Sequence, residues 1–168
     1  FIHGAASSTQ GSFGAMLDSS AQSDWRAIGD VFGSRIYGFE HRTMSASPIE
    51  NAIRLAQALP ARARLSLVTH SRGGMVGDLL CLSSISAEAI ASVRRIDAAL
   101  ADADEVDRRN LQTLAQILAA KQFRIERFVR CASPARGTLL ASENTDQFLS
   151  VLTNLLGLIP GLAASPLY

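Results

Sequence analysis

The chain has 168 residues, the length of one domain, and 48% of them are apolar. Its 16 lysine and arginine residues are almost balanced by 15 aspartate and glutamate residues, and its longest basic runs are pairs. This composition excludes a disordered chain and argues against a nucleic-acid-binding protein, so we expect a globular domain with a sizeable core.

The two cysteines, Cys81 and Cys131, lie in apolar stretches without the spacing of a metal site. We expect free core thiols in a reducing compartment, with no metal and no cofactor. Because no signal-peptide pattern is visible, the cytoplasm is the favoured location. The chain starts at Phe1 and stops at Tyr168 inside apolar segments. We interpret it as a fragment, truncated at both ends, of a longer protein with further domains.

The first residues, Phe1-Ile2, predict the end of a first strand, and a loop of small residues, His3-Gly4-Ala5-Ala6, follows. Gly4 permits a close approach between a ligand and the main chain, although an ordinary turn with a buried His3 fits the same residues. A helix is then predicted from about Phe13 to Val31, with Trp25 and Ile28 on one face.

A second strand is predicted over Arg35 to Phe39, and a polar turn that contains His41 follows it. His41 is either a site histidine or, more commonly at such a position, a polar turn residue. The run Ser47-Pro48-Ile49-Glu50 is typical of a helix start with a capping box, and this helix should end at Pro60.

The third strand, Leu65 to Thr69, is a continuous apolar run, as is typical of a central parallel strand. The sequence Thr69-His70-Ser71-Arg72-Gly73-Gly74 then predicts a tight turn at Ser71 and a helix from Arg72 to about Leu82. A serine on such a strand-to-helix turn exposes its hydroxyl, and the start of the helix offers backbone N–H groups to an anion.

Residues 83–122 predict two amphipathic helices around a charged bend at 102–105, which we interpret as a helical insertion. The fourth strand is predicted over Phe123 to Ala132, with a turn at Ser133 to Thr138 beside the Ser71 turn. Alternating strands and helices predict a parallel sheet with helices on both faces. Residues 148–168 carry no charge, but Pro160 and Pro166 favour an apolar lid, over about 146–168, instead of a membrane span. Such a lid would allow peripheral contact with a membrane.

Three segments, Phe1 to Ala5, Val68 to Gly74 and Ala132 to Thr138, together resemble α/β-hydrolases of the lipase, esterase and thioesterase kind. The chain is similar to bacterial hydrolase domains associated with CHAT domains and to lipase-like GPI-inositol deacylases. The resemblance covers most of residues 1–138 and implies a three-layer α/β-hydrolase fold. It also implies hydrolysis of a small-molecule or lipid-like carboxylic ester or thioester.

Within this resemblance each part of the site has a role. Ser71 is the nucleophile, and the backbone N–H groups of Ala5 and Arg72 hold the oxyanion that forms when the serine attacks a carbonyl. The residues around them support these two loops: His3, Gly4, His70, Gly73 and Gly74.

Two departures from the family pattern concern the catalytic machinery. Thr69 replaces the first glycine of the Gly-x-Ser-x-Gly motif, and no histidine follows Ser71. Since Asp146 is the only aspartate after the fourth strand, we expect the acid and the histidine of the triad downstream of Tyr168. These 168 residues alone should then show little or no turnover. The alternative is a non-catalytic module, which binds a partner or regulates a neighbouring domain through the helical hairpin and the apolar tail.

Overall fold

A parallel sheet organises the computed structural model, which describes residues 1–18, 21–84 and 105–133. Strand β1 (Arg64–His70) pairs in parallel with strand β2 (Arg124–Cys131). On the other side of β1, Ile2 forms one-residue parallel bridges with both Thr69 and Phe39. Across the sheet the order is therefore Phe39, Ile2, β1, β2. From Ile2 the chain crosses to Phe39 on one side, and it then crosses to β1 on the other side of Ile2. The crossovers therefore change direction between Ile2 and β1.

Helices occupy most of the remaining described chain. In chain order they are α1 (Thr9–Phe13), a 3-10 turn (Gly14–Leu17), α2 (Gln22–Phe32), α3 (Pro48–Ala58), α4 (Gly73–Cys81), a second 3-10 turn (Leu82–Ser84) and α5 (Glu105–Lys121). The third and fourth predicted strands and the helix after Ser71 are confirmed to within one or two residues. The mixed α/β class with parallel pairing is confirmed as well.

Two predicted elements are wrong. The single helix predicted from Phe13 to Val31 is instead α1, a 3-10 turn and α2. The backbone is extended at Asp18, where ψ is 157°, and this conformation ends the 3-10 turn. The segment from Arg35 to Phe39 is no strand. Only Phe39 forms a bridge, because the neighbouring segment supplies a single bridging residue, Ile2. Around this bridge the Phe39 amide donates to the Phe1 carbonyl at 2.9 Å, and the Phe1 amino group donates to the Tyr37 carbonyl at 2.8 Å.

Helix α3 begins with the predicted capping box. The Glu50 amide donates to Ser47 Oγ at 3.1 Å, and the Ser47 amide donates to a carboxylate oxygen of Glu50 at 2.7 Å. The helix buries Ile49, Ala52 and Ala56, and it packs against both α4 and α5. The cap therefore fixes the start of a helix that lies at the centre of the core.

Replacing Ser47 by alanine should lower the free energy of unfolding by about 1 kcal/mol, because the Glu50 amide loses its acceptor. Urea denaturation followed by circular dichroism measures the loss. Ser45→Ala is the matched control, since Ser45 is exposed and precedes the helix. An equal loss in both variants would show that the cap contributes nothing specific.

The core lies between α3, α4 and α5. Its fully buried side chains include Ile49 from α3, Leu79 and Leu80 from α4, and Leu114 and Leu118 from α5. Helix α4 also contacts both strands. The strand pair is thus joined to the helical core by the helix that follows Ser71.

Both cysteines are free, as predicted, but Cys81 is only half-buried. Burial raises the pKa of the Cys81 thiol to about 12. Cys131 is exposed, so its interpretation as a core thiol is wrong. It ends β2, a strand whose residues are all half-buried or exposed.

Several predicted elements lie outside the described residues: the first helix of the insertion, the bend at 102–104, the turn at 134–138 and the lid at 146–168. The second helix of the insertion is confirmed as α5. None of the helices that the structure describes is long and apolar enough to cross a membrane.

Candidate functional site

Ser71 occupies a sharp turn between β1 and α4. Its φ of +50° lies in the left-handed region, which is rare outside glycine. The Ser71 amide donates to the Cys131 carbonyl at 2.8 Å, and the Ser71 carbonyl accepts from the Gly74 amide at 3.0 Å. These bonds to β2 and α4 hold the residue in a conformation that costs about 1–2 kcal/mol for an L-residue. The turn therefore projects from the carboxyl edge of the sheet, as predicted.

The loop after Ile2 packs directly on this turn. A Cβ added to Gly4 would lie 2.8 Å from Ser71 Cβ and 3.2 Å from the His70 carbonyl oxygen. Those separations are shorter than ordinary contacts, so only glycine fits between the loop and the turn. The structure thus brings together two segments that lie almost 70 residues apart in the chain, at the point where the crossovers change direction.

Gly73 performs the same role for the start of α4. A Cβ there would overlap the Ile2 carbonyl oxygen and lie 2.5 Å from the His3 carbonyl oxygen. Gly73 therefore lies against the Ile2 segment, the neighbour of β1 in the sheet. Contact with β1 and β2 is made one turn later by Gly77, against Thr69 and Phe128, whereas Gly74 faces the Ser133 side chain.

The two predicted oxyanion donors have no hydrogen-bond acceptor among the residues that the structure describes. The amides on either side of Ala5 are occupied, since Gly4 donates to Ser12 Oγ at 3.4 Å and Ala6 donates to Thr43 Oγ1 at 3.0 Å. The Ala5 and Arg72 amides remain free to donate to an oxygen atom brought to Ser71. The Arg72 amide, at the start of α4 and next to Ser71, is the kind of donor that binds an anion.

The side chain of Arg72 faces away from this role. Its Nη2 donates to the Ala46 carbonyl at 3.3 Å, and burial lowers the pKa of the guanidinium. The side chain therefore attaches the turn to the segment before α3, and only the Arg72 backbone is available at the turn.

His70 packs against α1. Its Nδ1 lies 3.3 Å from Ser12 Oγ, and its ring meets Phe13 edge-on. Ser12 also accepts from the Gly4 amide, so one hydroxyl connects the Gly4 loop to the strand that carries Ser71. The sequence analysis missed Ser12, because its partners are remote in the chain and no local motif marks it.

His3 is buried, and its ring nitrogens contact backbone groups. Its Nδ1 lies 3.0 Å from the Gly4 carbonyl oxygen, and its Nε2 lies 3.3 Å from both the His41 amide and Glu40 Oε2. The ring also packs on the ring of His41, with centroids 4.2 Å apart. His3 therefore fixes the Gly4 loop to the segment around Phe39.

His41 is half-buried, and its Nδ1 lies 3.1 Å from the Phe39 carbonyl oxygen. Burial is the main reason why the pKa of His41 lies below its ordinary value. These contacts favour the interpretation of His41 as a polar turn residue.

Ser71 therefore has no base in the described part of the chain. No side chain there donates to or accepts from its hydroxyl. All three histidines of the sequence make other contacts. The described residues therefore place a serine beside backbone donors but supply no base for it.

An ion pair between a buried aspartate and a half-buried arginine joins α4 to β2. Asp78 of α4 is 4% exposed and lies 3.1 Å from Arg130 Nη1 of β2. Burial raises the pKa of Asp78 to about 6, and the positive charge of Arg130 opposes that rise. The pair joins the helix after Ser71 to the strand that accepts the Ser71 amide. Sequence analysis missed it, because its members are 52 positions apart.

Comparison with known proteins gives one match. A family model described as a domain of unknown function, DUF7379, matches residues 1–102, which include both the Gly4 loop and the Ser71 turn. No curated protein and no solved structure matches the chain. Since the matched residues make up more than half of the sequence, the chain belongs to the DUF7379 family.

Proposed function

We propose that the chain carries the nucleophile part of a serine hydrolase with an α/β-hydrolase fold, which cleaves a carboxylic ester or thioester. The observation that carries the proposal is the left-handed turn at Ser71, with the Gly4 loop packed against it. A serine held this way between a parallel strand and a helix is the arrangement of a nucleophile elbow. The position of the turn, where the crossovers change direction, is also where open α/β sheets bind ligands.

In the proposed reaction Ser71 Oγ attacks the substrate carbonyl carbon, and the carbonyl oxygen becomes an oxyanion. The free amides of Ala5 and Arg72 donate to that oxygen. Donors of this kind typically contribute about 3–4 kcal/mol each to lowering the barrier. The alcohol or thiol then leaves, and water releases the acyl group from Ser71.

Activation of Ser71 needs a base. Because the histidines are engaged elsewhere, we assign the base and its acid to sequence downstream of Tyr168. The substrate in this proposal is a small-molecule or lipid-like ester, and it requires no cofactor.

A fluorophosphonate probe tests the proposal, because it reacts covalently with activated serine nucleophiles. The full-length protein should be labelled at Ser71, and Ser71→Ala should lose essentially all labelling. Ser45→Ala is the control, since it removes an exposed hydroxyl from a turn and should label like the parent. Equal labelling of the Ser71→Ala variant would contradict the proposal.

One observation favours a second candidate function, a non-catalytic module that binds a partner. The Ser71 hydroxyl has no partner among the described side chains, so a folded protein without a nearby base would leave it inert. The same experiment separates the two functions. A full-length protein that is folded by circular dichroism but unlabelled at Ser71 would favour the module.

A further inference from the structure

We infer that a recess lined by two arginines binds a carboxylate or phosphate group, which we assign to an acidic ester substrate of Ser71. The recess has a volume of about 400 Å³ and is lined by Phe39, Glu40, His41, Arg42 and Arg54. That volume is within the range of small-ligand sites. The charges and contacts of the lining support the anion site, whereas its assignment to a substrate rests on the proposed function.

The charges of the lining favour an anion. Arg42 and Arg54 form no ion pair within residues 1–18, 21–84 and 105–133, whereas Arg64, Arg109 and Arg130 each pair with a carboxylate. A guanidinium presents a planar set of donors that matches a carboxylate or phosphate. Two unpaired guanidinium groups in one recess thus supply both the charge and the donor geometry that an oxyanion needs.

The single carboxylate of the lining is engaged elsewhere. Glu40 Oε1 accepts from the Thr9 amide at 2.8 Å, and Glu40 Oε2 lies 3.3 Å from His3 Nε2. Both oxygens therefore have contacts that hold the carboxylate toward α1 and His3. Among the described residues Glu40 forms no ion pair with Arg42 or Arg54, and the lining holds two guanidinium groups against one carboxylate.

The backbone around the recess is fixed. The buried Asn51 donates from Nδ2 to the Arg42 carbonyl at 2.9 Å, which attaches the Arg42 turn to α3. Arg54 lies on the same helix. Because the capped α3 positions both arginines, little backbone ordering should accompany binding.

The recess is connected to Ser71 through a short chain of contacts. His41 packs on His3, His3 contacts the Gly4 carbonyl, and Gly4 packs against Ser71. Arg72, beside the nucleophile, also lowers the pKa of His41 through its charge, after the larger effect of burial. These contacts are the basis for assigning the acidic group to the substrate of Ser71.

Isothermal titration calorimetry on the full chain tests the inference, with succinate and inorganic phosphate as separate probes. Succinamide, which has the length of succinate but no charge, is the neutral control. Arg42→Gln and Arg54→Gln should each weaken binding about tenfold or more, the usual effect of losing one charge-assisted hydrogen bond. Arg26→Gln, an exposed substitution on α2, should leave the affinity unchanged.

Each outcome is decisive once urea denaturation shows that the variants are folded. Binding of succinate alone or phosphate alone supports the site and identifies the anion. Equal binding of succinate and succinamide, no anion binding, or binding that neither arginine variant weakens would overturn the inference. Fluorophosphonate labelling of Ser71 is measured in parallel. Anion binding without labelling would contradict the proposed hydrolase but not the anion site. Labelling without anion binding would contradict the anion site but not the hydrolase.

Discussion

The Gly73→Ala variant is expected to lose about 3 kcal/mol of unfolding free energy, the upper part of the range for an overpacked core. The added Cβ would overlap the carbonyl oxygens of Ile2 and His3, and backbone atoms cannot move aside as a flexible side chain can. Helix α4 would have to shift away from the Ile2 segment and take the Ser71 turn with it. Urea denaturation followed by circular dichroism measures the loss.

Gly29→Ala is the matched control for this substitution. Gly29 lies in the interior of α2, and a Cβ there would meet no atom within 4 Å. Alanine should stabilise that helix by up to about 1 kcal/mol, since glycine is a poor helix former. If Gly73→Ala were as stable as the parent, the close packing of α4 on the Ile2 segment would be wrong.

The stability of the protein should depend on pH through Asp78. Its pKa is about 6 in the folded protein against 3.8 for an unperturbed aspartate carboxyl. The folded state therefore binds the Asp78 proton more tightly than the unfolded state does. Below about pH 4 Asp78 does not lower the free energy of unfolding, and as the pH rises through 6 it lowers that free energy progressively. At 1.36 kcal/mol per pKa unit the full cost is about 3 kcal/mol.

Asp78→Asn cannot ionise and should lack this part of the pH dependence. We therefore compare the free energy of unfolding of Asp78→Asn with that of the parent at each pH. From pH 4 to pH 8 the variant should gain about 3 kcal/mol of stability relative to the parent. Arg130→Met should have the opposite effect and extend the slope to higher pH, because Arg130 is the charge that holds the pKa of Asp78 down. Urea denaturation at a series of pH values measures all three proteins, and parallel curves would contradict the prediction.

Sequence analysis predicted the elements whose signals are local. The capping box joins Ser47 and Glu50, which are three residues apart, so the start of α3 was predicted correctly. The apolar run at Leu65 to Thr69 is likewise a local signal, and the structure confirms a parallel strand there. The segment from Arg35 to Phe39 has the composition of a strand, but a strand also needs a neighbour, and here that neighbour offers one residue. Pairing of this kind is not encoded in the segment itself.

The same distinction applies to the site. The turn at Ser71 and the glycine at Gly4 are recognisable from their own sequences, and the edge of a parallel sheet brings them together. Ser12 and the Asp78–Arg130 pair depend on contacts between distant parts of the chain. Within its own helix, Asp78 would be expected to face solvent, and only the packing of α4 on β2 shows that it is buried. An ion pair of this kind, between a buried aspartate and an arginine 52 positions away, is therefore found from the structure alone.

The packing of β2 and α5 has a consequence for how this domain can be divided. The family match stops at residue 102, yet β1 pairs with β2 and α3 packs on α5, and both partners come after that point. A fragment that ends at residue 102 would expose the amides along one edge of β1, together with apolar side chains that Leu114 and Leu118 cover. The region that identifies the family is thus smaller than the unit that folds. Any fusion protein or transplanted domain built on this family should include residues 105–133.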